Sequence, residues 1–231
     1  MDRKCIETYR LALFGRMVMG VAHEVDNHLS VVIGFSELLQ MAAGNEQKVR
    51  DGATKVLSAG EKIGAVIRHF SQYVRPHAPM RETFLLAEMI PEILLFARYD
   101  LGRGGSVLAP KSCPTGFVQG DRSDIGLAFL ALLFNGAEAM AGKGGELAID
   151  AGRRDGGWSI TISDQGPGIP TGSEEKVYEE GFTTKTEPYR TGMGLPVARY
   201  LLAEAGGTLE LANASVGGCV ATVWLPAFGT K

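Results

Sequence analysis

The sequence predicts an α+β chain, an N-terminal antiparallel helical hairpin followed by a C-terminal α/β sandwich, and three observations lead there. Apolar residues recur with helical period up to the proline-flanked stretch Arg75-Pro76-His77-Ala78-Pro79. Beyond it, short apolar strand-like runs alternate with helical ones and glycine clusters. The 231 residues and 45% hydrophobic content are those of a globular chain able to bury a real core. Two domains are expected, residues 1–79 and 80–231.

In the first helix Val18, Val25, Val32 and Leu39 are seven residues apart, with Val21 and Phe35 at the matching d positions of the same heptad. One seam on a long helix results. After the break at Gly44-Asn45, a second helix carries Val49, Val56, Ile63 and Phe70 at the same spacing, widened by Ala53, Gly60, Ile67 and Val74. Two helices cannot fully cover stripes this wide, whereas two copies of the hairpin make a four-helix bundle, so a homodimer is expected. The later part reads as a strand near Glu82–Phe84, a helix from Leu86 to about Tyr99 and strands near Val107 and Val118. A helix over Asp121–Met140, strands over Glu146–Ala151 and Trp158–Ser163, a long irregular stretch, a helix over Gly194–Ala205 and strands over Thr208–Ala212 and Val220–Leu225 complete it. The last four strands alternate as a sheet does when helices cover one face.

A formal charge of -3, with acidic and basic residues mixed, provides no basic stripe to neutralise a phosphate backbone, so nucleic acid is not an expected partner. The longest uncharged apolar stretch, Ile125 to Phe134, is about half a bilayer span, and the first residues lead into no signal-peptide core. Membrane insertion is not expected, and a cytoplasmic location is. Cys5, Cys113 and Cys219 are scattered and odd in number, which suits packing better than a disulfide framework or a zinc site.

Chemistry concentrates in two places. The heptad register puts His23 at position f, facing water, with Glu24 beside it and Asn27 four residues on, on the same helical face. A carboxylate next to an imidazole can fix its tautomer and take the proton that the ring loses on attacking phosphorus. His28 falls at a d position and reads as a partly buried, hydrogen-bonded histidine; His69 and His77 have no polar constellation in the sequence. The second place is a set of polar anchors and glycine loops. Asn135 interrupts an apolar helix, where an unpartnered buried amide costs about 1–3 kcal/mol, and a magnesium ion on nucleotide phosphates would partner it. Asp164-Gln165-Gly166-Pro167-Gly168 follows a strand, with glycines that let the backbone approach a flat base while Asp164 accepts from an exocyclic amine. Gly192-Met193-Gly194-Leu195 precedes a helix and suits an anion. Alone, each has a plainer reading: a structural asparagine, a tight turn, a glycine pair before a helix. Between the loops, Thr171 to Arg190 has little periodicity and would make a lid.

In order and spacing these pieces resemble the sensor histidine kinases of two-component signalling, from about residue 12 to residue 226. His23-Glu24 is similar to the H box and Asn135-Gly136-Ala137-Glu138-Ala139 to the N box. Asp164 to Gly168 is similar to the G1 box, Phe182-Thr183-Thr184-Lys185 to the F box and Gly192 to Leu195 to the G2 box. The wording is most similar to the branch that includes the nitrogen-regulation kinases.

The resemblance implies a dimerisation and histidine-phosphotransfer hairpin joined to an ATP-binding domain of the Bergerat type. His23 would attack the γ-phosphorus, with Glu24 as its base or orienting partner. Asn135 would hold Mg2+ and Asp164 the adenine, while the phosphates would lie against Gly166, Gly168, Thr184, Lys185, Gly192, Gly194 and Leu195. The phosphoryl group would pass to an aspartate in the receiver domain of a response regulator, and Asn27 would orient water for the dephosphorylation of that regulator. Two departures stand out: His28 replaces the usual proline of the H box, and Ala131 replaces a second asparagine of the N-box helix. Hydrolytic relatives of the fold usually carry at that second position a glutamate that activates water, so alanine disfavours a clamp-type ATPase. A scaffold with a vestigial nucleotide site is the other alternative. Only 22 residues precede His23, too few for a sensor domain; control by another protein, or an excised kinase core, is expected.

Overall fold

The computed structural model describes the chain apart from residues 43, 76–77, 104–105, 113, 141–142, 185–190, 216 and 230–231; for 99–103 and 106–110 it describes the backbone alone. Helix α1, Arg3–Met41, starts at Asp2, whose side chain accepts from the Lys4 amide, and runs without interruption through His28. With no proline there, no backbone donor is lost and nothing forces a bend. Helix α2, Glu46–Val74, starts at Asn45, whose side chain accepts from the Lys48 amide. The two helices pack against each other as a hairpin.

The seam differs from the one the apolar pattern predicts. Val21, Val25, Val32, Phe35 and Leu39 are half-buried, but Val18 is 50% exposed. On α2 the fully buried line is Gly52, Ala59, Val66 and Tyr73, three residues on from the expected Val49, Val56, Ile63 and Phe70. Small residues decide this. A methyl on Gly52 would come within 2.8 Å of the Leu39 side chain, so this part of α2 closes on Gly52 and Ala59 rather than on Val49 and Val56.

The rest of the chain forms β1 (Glu82–Leu85), α3 (Leu86–Arg103), β2 (Ser106–Pro110), β3 (Phe117–Gly120), α4 (Arg122–Ala139), β4 (Gly145–Arg154), β5 (Gly157–Ser163), α5 (Gly194–Glu204), β6 (Thr208–Asn213) and β7 (Cys219–Pro226). β1 and β3 pair antiparallel, and the main sheet has the order β2-β4-β5-β7-β6, parallel only between β2 and β4. Helix α4 is capped by Asp121, whose second oxygen accepts from the Met80 amide and so ties the inter-helical linker to this helix. Every α4 residue from Asp124 to Phe134 is buried, because helices pack around it and the sheet lies beneath. That accounts for an apolar run without helical period.

One buried cluster joins the hairpin to the sandwich: Ile6, Leu13, Phe14, Met17 and Tyr73 share it with residues of α3, α4 and the sheet. Phe14 stacks on Tyr73 at 6.2 Å, and Phe70 and Tyr73 both meet Phe96 edge-on at 6.0 Å. The Tyr73 ring lies so close to α4 that a methyl on Gly126 would clash with it. A polar network seals the same joint. Arg10, 0% exposed, donates to the Tyr73 carbonyl, to Ser123 and to Asp124, which also receives Arg3 at 2.6 Å. His69 does acquire polar partners here, since Glu92 lies 3.6 Å away and also accepts from Arg122. Among the described residues no helix is long and apolar enough to cross a membrane.

Candidate functional site

His23 is exposed on α1, and Asn27 one turn on lies 3.1 Å from its Nδ1, as the i+4 spacing requires. Glu24 extends along the helix to His28, with 3.4 Å between carboxylate and Nε2. His28 is thus half-buried and partnered, as its d position suggests.

The nucleotide anchors converge on a cavity of about 520 Å³ bounded by α1, α4, α5, β5 to β7 and the irregular stretch after β5. That volume falls in the roughly 300–1,000 Å³ range of small-molecule sites. Asn135, Asp164, Gly168, Thr184, Gly192, Gly194 and Leu195 all line it. Gly166 packs beneath: its amide donates to Asp164 Oδ1 at 2.8 Å, and a methyl there would come within 2.8 Å of Ala139. Lys185 lies outside the described residues, as do His77 and Cys113.

Local backbone geometry explains the glycines. Gly168 sits at φ 78° and Gly192 at φ 64°, both in the left-handed region. A methyl on Gly192 would also come within 2.5 Å of the Gly181 and Phe182 backbone, so the loop before α5 lies directly on the segment that leads to Thr184. Asp164 is fixed through Oδ1 by the amides of Gly166 and Cys219, while its own amide donates to the Cys219 carbonyl. Burial, with the Asp164 carboxylate adding to it, pushes the neighbouring Cys219 thiol up to about 11.

Asn135 projects from α4 towards the start of α5: its Nδ2 is 3.3 Å from where a Cβ on Gly194 would stand. The amide makes no hydrogen bond among the described residues. An uncommitted oxygen beside a helix N-terminus fits an ion carried by bound phosphates. Ala131, one turn earlier and 1% exposed, presents only a methyl to the cavity.

The sequence reading missed one wall. Tyr9, Ala12, Leu13 and Arg16 of α1 line the cavity. The Tyr9 hydroxyl lies 3.1 Å from the same point above Gly194, and burial holds its phenol well above the ordinary range. Arg16 binds Glu138 at 2.5 Å and lies 4.8 Å over the Phe134 ring. Tyr9, Arg16 and His23 are seven residues apart, and that heptad spacing was the available signal. His23, Glu24 and Asn27 are not among the lining residues; His23 lies about two turns, roughly 10 Å, beyond Arg16 on the same helical face.

Residues 120–228 match the family described as histidine kinase-, DNA gyrase B- and HSP90-like ATPase. The sensor histidine kinase ZraS of Escherichia coli is 26% identical over 220 residues, which cover 94% of this chain and 46% of that protein. The chain spans about half the length of the curated relatives it matches. Among solved structures, the mycobacterial sensor histidine kinase MprB is similar with a TM-score of 0.56 and 26% identity, covering 65% of this chain and all of that one. The histidine kinase ThkA, solved in complex with the response regulator protein TrrA, shares the fold over 95% of this chain and 64% of its own, with a TM-score of 0.54 and 20% identity. Residues 120–228 are thus a domain of that ATPase type, and the chain as a whole, with its histidine-bearing helical hairpin, is similar to the sensor histidine kinases of two-component systems.

Proposed function

We propose that the chain binds ATP with Mg2+, transfers the γ-phosphoryl group to His23 and passes it to an aspartate of a response regulator receiver domain. The observation that carries this is the meeting of Asn135, Asp164 and both glycine loops around one cavity whose remaining wall is the helix that bears His23. In the transfer, an imidazole nitrogen forms the N–P bond as the γ-phosphorus leaves the β-phosphate oxygen of ADP. Asn27 Nδ2 meets Nδ1 at 3.1 Å, which puts the ring proton on Nε2; attack by Nε2 therefore requires the other tautomer, with the proton on Nδ1 and the Asn27 amide turned to present its oxygen. Glu24, adjacent on α1, takes the proton the ring releases. Asp164 accepts from the adenine amine, and the loop at Gly192–Leu195 with the N-terminus of α5 holds the phosphates, helped by Thr184 and Lys185. Asn135 would hold Mg2+, which neutralises charge on the phosphates. Little covalent chemistry is asked of the protein beyond positioning.

The nucleotide domain must travel about two turns along α1, or meet the histidine of a second copy, for that bond to form. Residues 1–79 serve as the dimerisation and phosphotransfer unit in this reading, and residues 80–231 as the ATP-binding unit. Val18, Leu29, Ile33 and Leu38 of α1, with Leu57 and Ile67 of α2, stay exposed in the single chain. A second hairpin covering them completes a four-helix bundle. The partner of the neighbour ThkA, a response regulator, supports the same class of acceptor here, and Asn27 beside His23 suits a water-orienting role in its dephosphorylation.

Incubation with ATP labelled at the γ-phosphate tests the proposal. Acid-labile, alkali-stable label is expected on the protein, absent in His23→Ala and retained in His28→Ala. Phosphate release without labelling would replace the kinase by an ATPase, against which the methyl of Ala131 stands. Absence of both would leave a phosphotransfer scaffold.

A further inference from the structure

The cavity wall holds two anionic side chains, Glu138 and Asp164, and one cationic side chain among its described residues, Arg16. That cation comes from α1, not from the nucleotide domain. The two helices face each other in order: Tyr9 and Asn135 stand together over Gly194 at the start of α5, and further along Arg16 bonds Glu138, one turn beyond Asn135. An anion drawn to the α5 N-terminus therefore arrives beside Tyr9 and Asn135, within a side-chain swing of Arg16. The Arg16 side chain is 34% exposed, and its guanidinium carbon lies 4.8 Å over the Phe134 ring, a face across which the group can slide from Glu138 towards the cavity.

We propose that Arg16 is a nucleotide-binding residue for its own chain's cavity: when ATP enters, the guanidinium exchanges Glu138 for the terminal phosphate. The inference rests on the kinase reading and deepens it. A polyanionic tail entering a wall that already carries two carboxylates needs a counter-charge, and a guanidinium meets a phosphate with two parallel hydrogen bonds. With ADP the terminal phosphate is missing, and Arg16 stays on Glu138. The helix that carries His23 thereby distinguishes triphosphate from diphosphate two turns before the acceptor.

Calorimetric titration of the full chain with ATP and with ADP, each with Mg2+, tests this. Arg16→Ala is expected to weaken ATP about tenfold and ADP by no more than about twofold, the size of one lost charge-assisted contact. Arg16→Lys should recover part of the loss. Glu138→Gln removes the competing anion and should leave ATP binding equal or tighter. Equal losses for ATP and ADP overturn the proposal. So does a Glu138→Gln variant as weak as Arg16→Ala, because the pair is then only a clamp between α1 and α4. If the wild-type chain binds no ATP, the kinase reading itself fails. If Arg16→Ala binds ATP normally while His23 is still phosphorylated, that reading stands and this one falls.

Discussion

Replacing Asp124 by alanine should loosen the joint between the hairpin and the nucleotide domain, and the size of the effect can be worked from its partners. Asp124 is 6% exposed and receives both Arg3 and Arg10. Arg10 is fully buried. Without the carboxylate its guanidinium keeps the Tyr73 carbonyl at 2.9 Å and Ser123 at 2.7 Å, but its one remaining anion among the described residues is Glu7, at 3.3 Å from Nε without hydrogen-bond geometry. Removing one partner of a buried ion pair costs about 3–5 kcal/mol, and the Glu7 contact argues for the lower end. At roughly 2–4 °C per kcal/mol for a chain of this size, about 3 kcal/mol lowers Tm by about 6–12 °C. Circular dichroism melts measure the shift, and hydrogen exchange should find the amides at the start of α1 losing protection first. The double variant Arg10→Met with Asp124→Leu removes both buried charges and should regain most of the loss. A fall of under about 2 °C for the single variant, or a double variant no more stable than the single one, would refute the assignment of this pair as the fastening.

Further outcomes are expected. Gly192→Ala places a methyl within 2.5 Å of the Gly181 and Phe182 backbone at φ 64°, so ATP affinity should fall at least about tenfold with the far-ultraviolet spectrum unchanged; a fluorescent ATP analogue would report unaltered binding if the loop does not hold phosphate. The Cys219 thiol, ordinarily near 9 and raised to about 11 by burial and Asp164, is favoured in its neutral form by the fold. Its contribution to stability is therefore complete below about pH 9 and lost as pH rises towards 11, and alkylation of Cys219, followed by mass spectrometry, should accelerate across that window and be blocked by ATP. Ile33→Glu with Ile67→Glu puts charge on two exposed apolar positions of the hairpin and should give a monomer in sedimentation; a dimer of undiminished affinity would move the interface elsewhere.

Much of this architecture is legible in local pattern. Strands β4 to β7 and helices α4 and α5 fall close to where alternation, the apolar run from Ile125 to Phe134 and the glycine pair at Gly192 and Gly194 put them, because each signal acts within a few residues. The glycine loops were readable for the same reason: positive φ at Gly168 and Gly192 is a local demand of the backbone. His23 could be seen as exposed and Asn27 as its neighbour from the helical repeat alone.

Other features belong to contacts between segments far apart in the chain. Arg10 looks like a solvated residue on a charged helix, yet it is fully buried because α4 presents Asp124, 114 residues away, to meet it. Gly52 and Ala59 carry too little apolar surface to mark a seam, and they form one because only small side chains let α1 approach α2. Tyr9 and Arg16 lie at a heptad spacing that any long helix could show; they become walls of the cavity because the first half of α1 meets α5 and is bonded through Arg3, Arg10 and Arg16 to α4. Periodicity tells which residues share a face of a helix. What covers that face, and so whether an arginine there meets water, a carboxylate or a phosphate, is set by the packing of distant elements against it.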